Sequence, residues 1–144
     1  PTRDQELEIL KRMAITGEKP SVQSVATPDD ILEAKKLVGQ IQVDQRLQEY
    51  VVDLVMATRD PMAYGLPLSD MIQFGASPRA TINLTLAAKA NAFFAGRSYV
   101  SPDDIKEIAM DVLRHRLLLT YEAEAEEKTS QDLISEILRM VPVP

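Results

Sequence analysis

An arginine occupies the first turn of a predicted helix, a position that usually holds an acidic residue. Ser77 followed by Pro78 is typical of an N-cap and a first helical residue, which places Arg79 in the first turn. A helix start presents free N–H groups and partial positive charge, so Asp or Glu is favoured there. A guanidinium beside such N–H groups, flanked by small residues, is suited to binding phosphate. We therefore consider Ser77, Pro78 and Arg79 a candidate phosphate-binding site.

The contrast with three other predicted helix starts makes Arg79 unusual. Residues 27–30, 101–104 and 129–132 each combine a Ser or Thr cap with an acidic residue in the first turn. Capping therefore explains their carboxylates without any catalytic role. At an exposed site, the charge of Arg79 costs about 0.3–1 kcal/mol. The alternative interpretation is that Arg79 is a surface residue that tolerates this mild repulsion.

Other catalytic or metal chemistry has little support in the sequence. The chain has no cysteine and one histidine, His115, so thiolate and multi-histidine metal sites are excluded. The acidic run at 122–127 lacks the glycine and the alternating oxygen ligands of a calcium loop. The chain also lacks a phosphate-binding P-loop, a dinucleotide-binding glycine motif and a nucleophile elbow. We predict no metal site and no complete catalytic site, so that the chain alone is inactive.

Length, charge and cysteine content restrict the partners and the compartment. The chain has 144 residues and a net charge of −6, which argues against sequence-independent binding of nucleic acid. No apolar run approaches the length that spans a membrane, so we expect no membrane insertion. The absence of cysteine fits a reducing cytosol, and we expect a cytoplasmic protein. Its expected partners are proteins and small molecules.

The elements that must position Arg79 form a predicted all-α bundle of about five to six helices. The helical patterns cover residues 3–14, 27–39, 44–59, 78–95, 101–115 and 129–141. The helix at 78–95 is apolar or small on nearly every side, so we expect it to be central and the most buried. A short extended segment is possible at 117–121, and the acidic run is expected to be a solvated spacer. The loop at 60–76 is unusually apolar, which predicts that it packs on the helices or on a neighbouring domain.

Several motifs, in order, resemble one family. Residues 75–80 (Gly-Ala-Ser-Pro-Arg-Ala) resemble the sensor 2 motif of MoxR-type AAA+ ATPases. Similar segments lie on both sides of it, at residues 55–59, 96–105, 112–117 and 121–126. The opening at 3–10 is similar to the last helix of the ATPase core, and with no initiator Met the chain looks like a piece cut from a longer protein. The resemblance therefore covers almost the whole chain.

The resemblance implies a division of the chain and a role for Arg79. Residues 1–23 would be the last helix of the ATPase core and a linker, and residues 24–144 the helical lid. The Walker A and B motifs would lie in the missing core, which would hold ATP and Mg²⁺. Arg79 would be the sensor 2 arginine that contacts the γ-phosphate, in its own subunit or in a neighbouring one, with Ser77 and Pro78 beside it.

The resemblance also implies partners and a process. Family members form homo-oligomeric rings, here expected to be hexamers, and assist the assembly or activation of other protein complexes, with von Willebrand factor A-domain proteins among their partners. Three further arginines, Arg59, Arg97 and Arg116, are predicted to pair with an acid or to cap a helix. The alternative from a different class is a self-standing helical interaction module, in which the apolar 62–74 segment is the docking surface and Arg79 is incidental.

Overall fold

The computed structural model describes residues 1–17 and 21–144. They fall into two compact units, Pro1–Glu33 and Ala34–Pro144. The elements in chain order are α1 (Arg3–Met13), α2 (Pro28–Gln40), α3 (Gln45–Ala57), a 3-10 turn (Pro61–Tyr64), β1 (Ile72–Phe74), α4 (Pro78–Phe94), α5 (Pro102–Leu113), β2 (Leu118–Leu119), α6 (Tyr121–Ala125) and α7 (Ser130–Met140). The predicted all-α class is confirmed, with one small two-stranded sheet added.

The first unit shows how polar caps define its helices. The Thr2 hydroxyl accepts a hydrogen bond from the backbone N–H of Gln5, whose side chain in turn accepts from the Thr2 N–H. At the start of α2, Thr27 and Asp30 exchange hydrogen bonds in the same way. Both predicted starts are therefore confirmed, because reciprocal caps satisfy N–H groups that the helix itself leaves free. The side chains of α1 are exposed, including its apolar residues Leu7, Leu10 and Met13.

The second unit is built around α4, which packs on both α3 and α5, while α7 packs on α5 and α3. The predicted central position of α4 is confirmed, but the prediction that it is the most buried helix is wrong. It buries one stripe at intervals of four residues, formed by Ala80, Leu84, Ala88 and Ala92, whereas α3 buries six side chains. Outside that stripe, Ile82 and Leu86 are more than half exposed, at 58% and 56%, whereas Phe93 is partly buried against the core. An all-round apolar pattern therefore does not show which face the neighbours cover.

Two short elements differ from the predictions. The acidic run does not form a spacer: residues 121–125 form α6, because the Thr120 hydroxyl caps its start and Ala123 is fully buried. The extended segment near 117–121 is confirmed as β2, and it pairs antiparallel with β1, which the pattern did not predict. The apolar loop packs on the helices through Leu66 and Leu68.

Among the described residues, one buried side-chain polar atom has no hydrogen-bond partner, the hydroxyl of Tyr50. Tyr50 lies on α3 and is 2% exposed, and burial raises the pKa of its phenol. Because a buried hydroxyl without a partner loses its hydration for no return, we expect Tyr50→Phe to leave stability unchanged or raise the free energy of unfolding by about 1 kcal/mol. Urea unfolding measures this.

The matched control is Tyr64→Phe. The Tyr64 hydroxyl donates to a carboxylate oxygen of Asp53 at 2.9 Å, so its removal should lower the free energy of unfolding by about 0.5–1.5 kcal/mol. A Tyr50→Phe variant that is as destabilised as Tyr64→Phe would contradict the interpretation of Tyr50.

Candidate functional site

The start of α4 has the predicted cap residue without the usual cap bond. Ser77 is the N-cap with extended backbone (φ −76°, ψ 168°), and Pro78 is the first helical residue, as predicted. The Ser77 side chain, however, accepts no hydrogen bond from the first turn, which also holds no acidic residue. The start of α4 therefore lacks two features that usually satisfy the free N–H groups of a first turn: a hydrogen bond from the cap side chain and an acidic residue.

A comparison with α3 shows what is particular to α4. The first turn of α3 also contains an arginine, Arg46, but its N-cap is Asp44, whose carboxylate accepts from the Arg46 N–H at 2.9 Å. Among the α-helices within residues 1–17 and 21–144, only α4 begins with no acidic residue at the cap or in the first turn. The positive end of its dipole is therefore not compensated by a carboxylate of its own cap or first turn.

The side chain of Arg79 is available to a ligand. Ser77, Pro78 and Arg79 are all exposed, and Arg79 makes no hydrogen bond or ion pair with the described parts of the chain. The next residue, Ala80, is fully buried, so the backbone that carries Arg79 is anchored in the core. The arrangement offers a planar, permanently charged donor beside a helix N-terminus, which suits an anion such as a phosphate that arrives from outside this chain.

The loop that leads into α4 is held by the end of α3. The backbone N–H of Ala76 donates to the Thr58 hydroxyl at 2.9 Å, and the Ala76 carbonyl accepts from Arg59 Nε at 2.6 Å. The prediction that Arg59 pairs with an acid or caps a helix is therefore wrong, because its acceptor lies in the loop before the Ser77 cap. The repeating pattern of apolar residues gave no sign of this contact, which joins residues 17 and 18 positions apart.

The other two arginines behave as predicted. Arg97 forms a bidentate pair with Asp104, at 2.6 and 2.8 Å, and Arg116 Nε donates to the Val112 carbonyl near the end of α5 at 2.7 Å. Arg97 follows the C-terminal end of α4, and a helix of 17 residues is about 25 Å long. The Arg97–Asp104 pair is therefore remote from Arg79 and belongs to the scaffold.

The Arg97–Asp104 pair is partly buried and tightly bonded. The Asp104 side chain is 3% exposed and also accepts from the Ser101 N–H and hydroxyl at 2.7 and 2.8 Å. The hydrogen bonds from Arg97 lower the pKa of Asp104 to about 2; burial opposes this shift, and the bonds from Ser101 support it.

The segments that the structure covers contain neither a metal-binding cluster nor a membrane-spanning helix. No group of three or more His, Cys, Asp or Glu side chains is arranged to hold a metal ion. None of the helices there has both the length and the apolar character to cross a membrane.

Comparison with known proteins defines the class. The AAA lid domain family matches residues 68–137, a range that includes α4 and the candidate site. A crystal structure of a proposed ATPase from Cytophaga hutchinsonii superposes with a TM-score of 0.92 at 42% identity, over 99% of this chain and 43% of that one. The family match and the fold thus define an AAA lid domain.

The similar sequences show to which family of AAA+ proteins this lid domain belongs. Chaperone MoxR1 of Mycobacterium tuberculosis is 38% identical over 100% of this chain and 38% of its own length. Protein MoxR of Paracoccus denitrificans is 36% identical over 68% of this chain and 31% of its own length. The chain belongs to the MoxR family of AAA+ ATPases, of which it contains the helical lid. It spans about two-fifths of the length of the first of these relatives.

Proposed function

We propose that this chain closes over ATP bound by an ATPase core and supplies Arg79 to the γ-phosphate. The observation that supports the proposal is the exposed Arg79 side chain, which has no partner in the described residues and lies in a first turn without acidic residues. A guanidinium forks onto phosphate oxygens and stabilises the charge that develops on them during transfer. Contact with the γ-phosphate would also make lid closure depend on whether ATP or ADP is bound.

The remainder of the proposal concerns the longer protein. Residues 1–23 supply the last core helix and a linker, and residues 24–144 the lid. The core holds ATP and Mg²⁺, and the subunits form a hexameric ring in the cytoplasm. The name of one relative, a chaperone, supports a role of this ATP hydrolysis in the assembly or activation of other protein complexes. The resemblance to the family suggests von Willebrand factor A-domain proteins as the partners.

The test is ATP turnover by the full-length ATPase that carries this lid. We expect Arg79→Ala to lower kcat at least tenfold, equivalent to about 1.4 kcal/mol of transition-state stabilisation, because a charged donor at the γ-phosphate is lost. Arg79→Lys should recover only part of the loss, since an ammonium group cannot make the bidentate contact. Steady-state kinetics with nucleotide affinity measured in parallel provides the values.

Arg46→Ala is the matched control. Arg46 is exposed and occupies the first turn of α3, but its helix already has an acidic cap, so turnover should be unchanged. The 144-residue chain alone should hydrolyse no ATP. Unchanged turnover and affinity in Arg79→Ala would refute the nucleotide role.

That negative result would favour the second candidate, a helical interaction module. One observation supports this alternative: Met62 and Phe74, from the segment considered as its docking surface, are 66% and 64% exposed. Much of the same segment is nevertheless used within the fold, because Leu66 and Leu68 are buried.

A further inference from the structure

We propose that Thr58 and Arg59 are positioning residues that hold the start of α4, and through it Arg79, by binding the peptide groups of Ala76 on both sides. This inference rests on the proposed function, because it assigns these residues an effect on ATP turnover that depends on Arg79. Neither residue needs to touch the nucleotide.

The hydrogen bonds of Ala76 are the first observation. Its N–H donates to the Thr58 hydroxyl, which itself donates to the Val55 carbonyl at 2.6 Å in the last turn of α3. Its carbonyl accepts from Arg59 Nε at 2.6 Å. Thr58 is fully buried and Ala76 is 1% exposed, so the contact with the Thr58 hydroxyl is shielded from competing water.

The close approach at Gly75 is the second observation. A Cβ added at Gly75 would overlap the carbonyl oxygen of Thr58 and lie 2.9 Å from the backbone nitrogen of Arg59. These are main-chain atoms at the end of a packed helix, which cannot move aside as a flexible side chain can. The loop therefore lies directly against the α3 terminus, and only glycine permits that distance.

The missing cap bond of α4 explains why this contact matters. In most helix starts, a side chain of the cap residue fixes the entry of the chain into the first turn. Ser77 makes no such bond, so the preceding peptide, held by Thr58 and Arg59, takes over that task. Arg79 follows three residues after Ala76, and Ala80 is fully buried. The backbone of Arg79 is thereby fixed on both sides, which leaves freedom mainly in its own side-chain torsions.

The experiment is a double-mutant cycle in the full-length ATPase. Thr58→Val keeps the shape and removes the hydroxyl, Thr58→Ser keeps the hydroxyl, and each is combined with Arg79→Ala. We measure kcat and KM for ATP and the midpoint of thermal unfolding. Misplacement of a catalytic group is costly, so we expect Thr58→Val to lower kcat about tenfold. Thr58→Ser should retain most of the activity.

The decisive measurement is the effect of Thr58→Val on kcat in the Arg79→Ala background. If Thr58 acts through Arg79, then Thr58→Val changes kcat less than about twofold once Arg79 is alanine, although it lowers the unfolding midpoint equally in both backgrounds. If Thr58 only stabilised the fold, its effect on kcat would not depend on whether Arg79 is present. Should Thr58→Val fail to fold, Arg59→Met is used instead, since Arg59 is exposed and its loss removes the hydrogen bond to the Ala76 carbonyl.

The outcomes separate the two proposals. If Arg79→Ala lowers kcat but Thr58→Val either has no effect or has the same effect in both backgrounds, the positioning role is overturned and the role of Arg79 stands. The same holds if the effect of Arg59→Met persists in the Arg79→Ala background, which would indicate direct contact of Arg59 with nucleotide. If Arg79→Ala leaves kcat unchanged, the proposed function itself fails.

Discussion

Replacing Gly75 by alanine is expected to lower the free energy of unfolding by about 3 kcal/mol or more, because the added methyl group has no space. Its Cβ would overlap the Thr58 carbonyl oxygen and lie 2.5 Å from the carbonyl carbon. Relief requires the loop to move away from α3, which also breaks the two hydrogen bonds to Ala76. Calorimetry should show a fall of about 10 °C in the unfolding midpoint.

Gly39→Ala is the matched control for this prediction. Gly39 lies in α2, and an added Cβ would have nothing within 4 Å. Alanine is the better helix former, so this substitution should raise stability by about 0.5 kcal/mol. Opposite signs at the two glycines would confirm that the close approach at Gly75 causes the loss. Equal, small effects would mean that the loop does not lie against Thr58.

Replacing Asp104 by alanine is the second change with a large expected effect. Five hydrogen bonds converge on its carboxylate from the side chains of Asn91 and Arg97 and from the N–H and hydroxyl of Ser101. Its loss removes the capping box of α5 and leaves a partly buried guanidinium without its counter-charge. We expect the free energy of unfolding to fall by about 3 kcal/mol, measured by urea denaturation.

The neighbouring Asp103 provides the control. It lies in the same first turn of α5 but is exposed, and its carboxylate makes no hydrogen bond with the described residues. Asp103→Ala loses only a favourable interaction with the helix dipole, worth about 0.3–1 kcal/mol. A loss as large as that of Asp104→Ala would contradict the special role of the buried carboxylate.

The same carboxylate predicts how stability depends on pH. The pKa of Asp104 is about 2 in the folded state, against an ordinary value of 3.8. Because the folded pKa is the lower one, the unfolded chain binds the proton first, and the stabilisation is complete above about pH 4 and is lost as the pH falls towards 2. Asp30 and Asp132 add to this trend, since cap bonds from Thr27 and Thr129 lower the pKa of each.

The measurement is the unfolding free energy between pH 5 and pH 2, for the wild type and Asp104→Asn. The wild type should lose more stability over this interval, because the variant has no carboxylate to protonate at this position. Parallel curves for the two proteins would contradict the prediction.

Most helix boundaries could be predicted from the sequence because they depend on local chemistry. The caps at Thr2, Ser101 and Thr129 are confirmed, as is the end of α4 at Gly96, which has φ +70°. Each of these signals involves residues three or four positions apart, and such contacts form within one segment of the chain. The position of Arg79 in a first helical turn could be predicted for the same reason.

The elements that were missed depend on contacts between distant segments. β1 has three residues, and it exists because β2, more than 40 positions later in the chain, supplies its pairing partner. The buried stripe of α4 is selected by α3 and α5 rather than by its own apolar pattern. The hydrogen bonds of Thr58 and Arg59 with Ala76 likewise form only once the loop has folded against α3. Nothing in the spacing of these residues distinguishes them from ordinary residues at the end of a helix.

The buried stripe of α4 has a consequence for which sequences this fold admits. Three of its four members, Ala80, Ala88 and Ala92, are 0–1% exposed and end at a single methyl group, so little volume separates α4 from the helices beside it. A larger side chain there would have to push two neighbours apart, whereas Ile82 and Leu86 face outward and are free to change. Among related sequences, the residues tolerated along α4 should therefore repeat every four positions. Side-chain size should be restricted on the buried face, and side-chain type should vary freely at exposed positions such as 82 and 86.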